Sequence, residues 1–133
     1  MPVIEKRKAL VIDVDGTLCP IKGPHENYAD LTVEPRIRRR LVELKQEGWR
    51  IILSSSRGMR TFDGDVDQIN ANVLPALLDW LKRNDIPFDE IQMAKPWPGS
   101  DGFYVDDRTV RPREFLEYSL EELNAICERD RVT

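Results

Sequence analysis

Ala9-Leu-Val-Ile-Asp13-Val-Asp15-Gly-Thr-Leu18 is the stretch on which the reading of this chain turns. The aliphatic run Ala9-Leu10-Val11-Ile12 has the length and bulk of a buried strand. Asp13 and Asp15 stand at its carboxyl end, and Gly16 follows at once. Open α/β sheets gather ligands at that edge. A carboxylate pair there suits a hard cation such as Mg2+. It also suits a division of labour in which one carboxylate attacks an electrophile and the other moves a proton. The plainer alternative is a turn, because Asp-Gly often ends a strand. A turn alone needs neither Asp13 nor the Thr17-Leu18 that follows.

The rest of the composition is compatible with a soluble α/β protein. A chain of 133 residues, 41% hydrophobic and 33% charged, is expected to form one globular domain, residues 1–133, around one core. No apolar run approaches the ~20 residues of a membrane span. Residues 1–8 carry charge and lack the apolar region and small-residue cleavage site of a leader. Cys19 and Cys127 lie far apart without metal-ligand spacing and read as reduced thiols, which fits a cytoplasmic protein. The net charge of −4 argues against a broad nucleic-acid surface. The cluster Arg36, Arg38, Arg39, Arg40 reads as a solvated helix face.

Strands alternate with helices along the chain. After β-type residues 9–13 comes a polar loop over 19–35, rich in Pro and Gly. Glu34-Pro35 then opens a helix with Ile37, Leu41 and Leu44 on one face and Gly48 as its stop. Trp49–Leu53 reads as a second strand, ending at Ser54-Ser55-Ser56. A polar loop is expected from Arg57 to Asn70, then a helix capped by Asn72 with Leu74, Leu77, Leu78 and Leu81 inward. Phe88–Met93 is a third strand and Phe103-Tyr104-Val105 a fourth, ending at Asp106-Asp107. Ser119 to Glu122 forms a capping box for a last helix striped by Leu120, Leu123, Ile126 and Cys127. This order predicts a parallel sheet with crossover helices. It places Asp13, Ser55 and Asp106 at the ends of three strands.

Asp13-Val-Asp15-Gly16-Thr17, the hydroxyl at Ser55, Lys95 in Ala94-Lys95-Pro96-Trp97 and the pair Asp106-Asp107 resemble, in order, the four signatures of the haloacid-dehalogenase-like (HAD) phosphohydrolases. The resemblance implies a three-layer Rossmann-like core and phosphoester hydrolysis. On its pattern Asp13 attacks phosphorus, Asp15 serves as acid and base, and Lys95 offsets charge. Mg2+ is held by Asp13, the backbone carbonyl of Asp15, and Asp106, with Asp107 supporting. Ser55 and Ser56 donate to phosphate oxygens, although Ser54 competes for that place. Each residue also has an ordinary alternative: a helix cap for Ser55, a surface position for Lys95, and a turn or an Arg108 partner for Asp106-Asp107.

A closer resemblance covers nearly the whole chain. Arg57-Gly-Met-Arg60-Thr-Phe62, Leu74-Pro75 with Asp79-Trp80-Leu81, Lys95-Pro96-Trp97, Phe103 to Arg108 and Glu114-Phe115 are similar to the small HAD phosphatases of capsule polysaccharide biosynthesis. That implies a sugar phosphate or related small phosphorylated metabolite as substrate, and a homo-oligomer is compatible with it. Arg57, Arg60 and Arg108 either bind a second anionic part of the substrate or brace the acidic site. His25 and Tyr28 lie in a loop that could touch substrate. Gly58 stands where that family tends to carry Asn. Only short loops, 19–33 and 57–70, are available to cover the site, so no cap domain is expected. Two other readings remain open. One is a phosphatase of nucleic-acid ends or nucleotides, since Asp106-Asp-Arg108 also resembles the phosphatase half of polynucleotide kinase-phosphatases. The other is a non-catalytic HAD-like binding module.

Overall fold

The structure, a computed structural model, describes residues 8–133; the stretch read above for a leader lies almost wholly outside them. The chain forms two compact units, one running to Trp97 and the other Pro98–Thr133. No described helix is long and apolar enough to cross a membrane.

The first unit is an α/β layer structure. Among the described residues its sheet holds three parallel strands in the order β1-β2-β3: β1 Ala9–Ile12, β2 Arg50–Ser54 and β3 Glu90–Gln92. Leu10 pairs with Ile51 and Ile12 with Leu53, while Leu53 pairs with Ile91 on its other side. Parallel neighbours need crossovers. Here they are α1 (Pro35–Gln46) between β1 and β2, and α2 (Val66–Asn72) with α3 (Leu74–Arg83) between β2 and β3. Ile51 and Leu53 are fully buried, and Ile37, Leu41 and Leu44 meet the core from α1 at helical spacing.

The ends of α1 follow from local chemistry. The Glu34 carboxylate accepts the Arg36 backbone N–H at 3.0 Å, Pro35 occupies the first turn, and Gly48 takes a left-handed φ of 91° just beyond the helix. Helix α3 buries Leu77, Trp80 and Leu81. The Trp80 indole N–H donates to the Leu31 carbonyl at 2.9 Å, and the Arg83 guanidinium reaches the Ala29 carbonyl. Both contacts fasten the far end of the 19–33 loop, where a short 3₁₀ turn spans Tyr28–Asp30.

Three expectations change. The stretch 57–70 is not all loop, because Asp65 accepts the Gln68 N–H at 3.2 Å and starts α2, which buries Ile69. Asn72 does not cap α3; its amide donates back to the Gln68 carbonyl at 2.9 Å in the last turn of α2, and α3 begins without a side-chain cap. The fourth strand is not formed. Residues 103–105 belong to no strand, and Val105 is 96% exposed. Their own unit offers helices only among the described residues, α4 (Pro112–Glu117) and α5 (Leu120–Asp130), and a strand needs a neighbour to pair with. Helix α5 does start on the reciprocal Ser119–Glu122 box, with both bonds at 3.0–3.1 Å, and it buries Leu123 and Cys127.

Replacing Trp80 by Phe keeps an aromatic ring but leaves the buried Leu31 carbonyl without its donor. The expected cost is about 1–3 kcal/mol. Leu41→Ala, which opens a void, is expected to cost about 2–5 kcal/mol. Urea unfolding of both variants measures each.

Candidate functional site

Asp13 follows directly on β1, and Ser55 directly on β2. The sheet pairing continues past both strand ends. The Ser55 N–H donates to the Gln92 carbonyl at 3.0 Å, and the Ser55 carbonyl accepts the Lys95 N–H at 3.1 Å. Lys95 is thereby delivered to the carboxyl edge of the sheet, where its Nζ lies 3.7 Å from Asp13 Oδ1. Ala94, just before it, takes a left-handed φ of 62°, which is strained for a residue with a Cβ. Asp13, Ser55 and Lys95 thus share one edge within the first unit.

Asp15 is held differently. Its two oxygens accept from Arg57, Oδ2 from Nε at 3.0 Å and Oδ1 from Nη2 at 2.8 Å. The Arg57 side chain is 4% exposed. Its guanidinium carbon sits 4.0 Å from the centre of the Tyr28 ring. Arg57 therefore braces the acidic site. Beyond Asp15, Gly16 turns the chain back with a φ of 87°, and the Thr17 and Leu18 N–H groups donate to the Val14 carbonyl.

The ordinary role of Ser55 is also visible. It is fully buried, and its hydroxyl oxygen accepts the Arg57 N–H at 3.1 Å, an ST-turn that shapes the exit from β2. The hydroxyl hydrogen is still available as a donor. Ser56 contributes its carbonyl to the Met59 N–H at 3.0 Å. Gly58 has a φ of 87°, and a Cβ there would lie 2.8 Å from Val73 Cγ2, so this position is built for glycine. Arg60 is exposed.

Asp106, Asp107 and Arg108 lie in the second unit. Asp106 Oδ1 accepts the Arg108 N–H at 2.8 Å, which makes the segment an Asx turn. Arg108 Nη1 donates to Asn124 Oδ1 at 2.9 Å, and Asp107 Oδ2 accepts from Arg131 at 2.7 Å. The Arg131 bond holds the exposed Asp107 carboxyl below its ordinary range. Among the described residues no three His, Cys, Asp or Glu side chains group as a metal set.

Burial dominates the electrostatics at this edge of the first unit. Burial pushes the Asp13 carboxyl above its ordinary value; Lys95 pulls against that shift and the charge of Asp15 adds to it. Burial, and then Asp15, push the Cys19 thiol up to about 12. The Cys19 Sγ lies 3.6 Å from Asp15 Oδ1, a contact that sequence reading overlooked although Cys19 closes the first motif. Tyr28 is raised for the same two reasons. The hard oxygens of Asp13 and the Asp15 carbonyl are donors of the type Mg2+ prefers.

Among solved structures, a protein from Vibrio cholerae matches with 40% identity over 93% of this chain and 99% of its own, at a TM-score of 0.88. The chain belongs to that protein's family. A chain of the Pnkp1/Rnl/Hen1 complex matches at a TM-score of 0.50 and 24% identity, over 84% of this chain and 35% of its own. A chain of the Pnkp1/Rnl/Hen1 RNA repair complex matches at 0.50 and 19% identity, over 92% and 30%. These two likenesses concern the fold alone. No protein family profile and no curated protein matches.

Because the Asp13 carboxyl is raised, the folded state binds its proton more tightly than the unfolded chain does. Its ionisation therefore lowers stability as pH rises through the carboxylate range and above. Asp13→Asn removes that cost. Thermal unfolding without added metal is expected to show a Tm higher by roughly 1–4 °C, a modest gain because the side chain is partly exposed and screened. Native Cys19, buried and protonated, is expected to resist alkylation at neutral pH and to react once the chain is unfolded, which mass spectrometry reads directly.

Proposed function

We propose that the protein is a Mg2+-dependent phosphomonoester hydrolase acting on a sugar phosphate or related small metabolite, in the synthesis of capsule or other cell-surface polysaccharide. The observation that carries the reading is Asp13 at the carboxyl edge of a parallel sheet, 3.7 Å from Lys95 and two residues from the braced Asp15. The HAD-like fold supports the reaction class, and the motif set over 57–62 and 95–108 supports the substrate class.

An Asp13 oxygen attacks phosphorus, and the bond from phosphorus to the leaving oxygen breaks. Asp15 gives that oxygen a proton. In the second half a water attacks the same phosphorus, Asp15 takes the water's proton, and the bond from phosphorus to Asp13 breaks to release phosphate. Lys95 and the Ser55 hydroxyl donate to the phosphoryl oxygens as charge builds on them. Mg2+, when bound, would neutralise phosphoryl charge, and Asp13 and the Asp15 backbone carbonyl would hold it. Arg60 is left for a second anionic group of the substrate, and Arg108, bonded to Asn124, for support of its own unit.

Phosphate release from sugar phosphates, nucleotides, oligonucleotides with a terminal phosphate, and para-nitrophenyl phosphate tests this. Turnover that needs Mg2+, stops with chelator and vanishes in Asp13→Asn is the expected result. Asp15→Asn is expected to lower kcat by about 10²–10⁴-fold. A preference for oligonucleotides would replace the sugar substrate. No turnover on any of them by folded protein would count against the phosphatase.

A further inference from the structure

Arg57 is the one charged residue buried among the described residues, at 6% exposure, and the chemistry above gives it no step. Burying a guanidinium costs several kcal/mol unless its partners are well placed. Here they are: the planar fork meets both Asp15 oxygens, and the Tyr28 ring covers a guanidinium face. Tyr28 is itself held. It opens the 3₁₀ turn, in which the Ala29 carbonyl is gripped by Arg83 of α3, and the Leu31 carbonyl just beyond the turn is gripped by Trp80.

We propose that Tyr28 and Arg57 act in series as positioning residues for Asp15. The Tyr28 ring fixes the guanidinium plane, and the fork fixes the Asp15 carboxylate in one rotamer. A lysine has no such fork. Oδ1 also meets the Cys19 thiol, but Oδ2 keeps a second lone pair beside its bond to Arg57 Nε, so the fork leaves room for the proton that Asp15 moves. The ring is the working part of Tyr28, since the contact is with its face. The 19–33 loop is thereby coupled to proton transfer without touching the phosphoryl group. This inference rests on the reading of Asp15 as acid and base.

The probe is para-nitrophenyl phosphate with the full chain. Arg57→Lys keeps the charge and loses the fork, and kcat is expected to fall about 10–100-fold while KM changes less than about twofold. Arg57→Ala is expected to fall at least as far and to regain activity with added guanidinium but not ammonium. Tyr28→Leu is expected to follow Arg57→Lys, Tyr28→Phe to keep most of kcat, and the Tyr28→Leu/Arg57→Lys double variant to be no worse than Arg57→Lys alone. A rise in KM at constant kcat, equal losses in Tyr28→Phe and Tyr28→Leu, or additive losses would overturn the relay. The Arg57 Nε–H signal in proton–nitrogen NMR provides a readout independent of turnover. It is expected to exchange slowly with water in the wild type and quickly in Tyr28→Leu and Asp15→Ala. A wild type that hydrolyses nothing yet shows this pattern would sink the phosphatase reading and leave standing only the positioning of Asp15 by Tyr28 and Arg57. A signal indifferent to Tyr28→Leu would sink the relay.

Discussion

The site depends on the parallel pairing of β1 with β2, Ile12 opposite Leu53. That register sets Asp13 beside the serines that end β2. On the other side of β2, pairing with β3 runs on through Ser55 to Gln92 and Lys95. Side chains alternate along a strand, so a slip by one residue would turn the core-facing set Ile12, Ile51 and Leu53 outward and break the arrangement of the edge. The buried aliphatic residues thus hold the polar edge in register. Leu41 and Leu44 of α1 and Leu77 and Leu81 of α3 are buried in the same unit.

Charge at that edge is balanced before any substrate arrives. Asp13 has Lys95 and Asp15 has Arg57, two carboxylates against two cations in a partly buried space. A phosphate monoester brings further negative charge into this balance. On the proposed reading that surplus is what a divalent cation offsets, and it explains why a carboxylate raised by burial can still work as a nucleophile. The two cations have separate tasks. Lys95 is a point charge on a flexible stem beside Asp13 Oδ1, whereas Arg57 is a planar clamp beneath an aromatic ring.

Much of this was legible in the sequence because its signals are local. The aliphatic run before Asp13, the Glu34-Pro35 start of α1 and the Ser119 box of α5 are each set within a few residues. Helix α2 was hidden because Asp63-Gly-Asp-Val-Asp67 reads as a polar turn, and burial of Ile69 is a tertiary fact. Asn72 looked like a cap because it precedes an apolar stripe, but the preceding helix claims its amide. Phe103-Tyr-Val105 has strand composition, and composition does not supply a partner strand. The task of Arg57 was undecidable from sequence, since Asp15 and Tyr28 lie in distant parts of the chain and only the fold brings them to it.

The parallel order β1-β2-β3 also bears on how the protein is made. Each strand's neighbour comes from a distant stretch of chain, with one or two helices between them. A nascent chain that has released β1 therefore has no partner for it until α1 and β2 have followed, and Lys95 arrives last of all. Such non-local pairing slows folding and leaves an aliphatic strand open in the meantime. The motif that identifies the site is thus attached to the segment that waits longest for its partners, so early folding of α1 against β1 would shield it during synthesis.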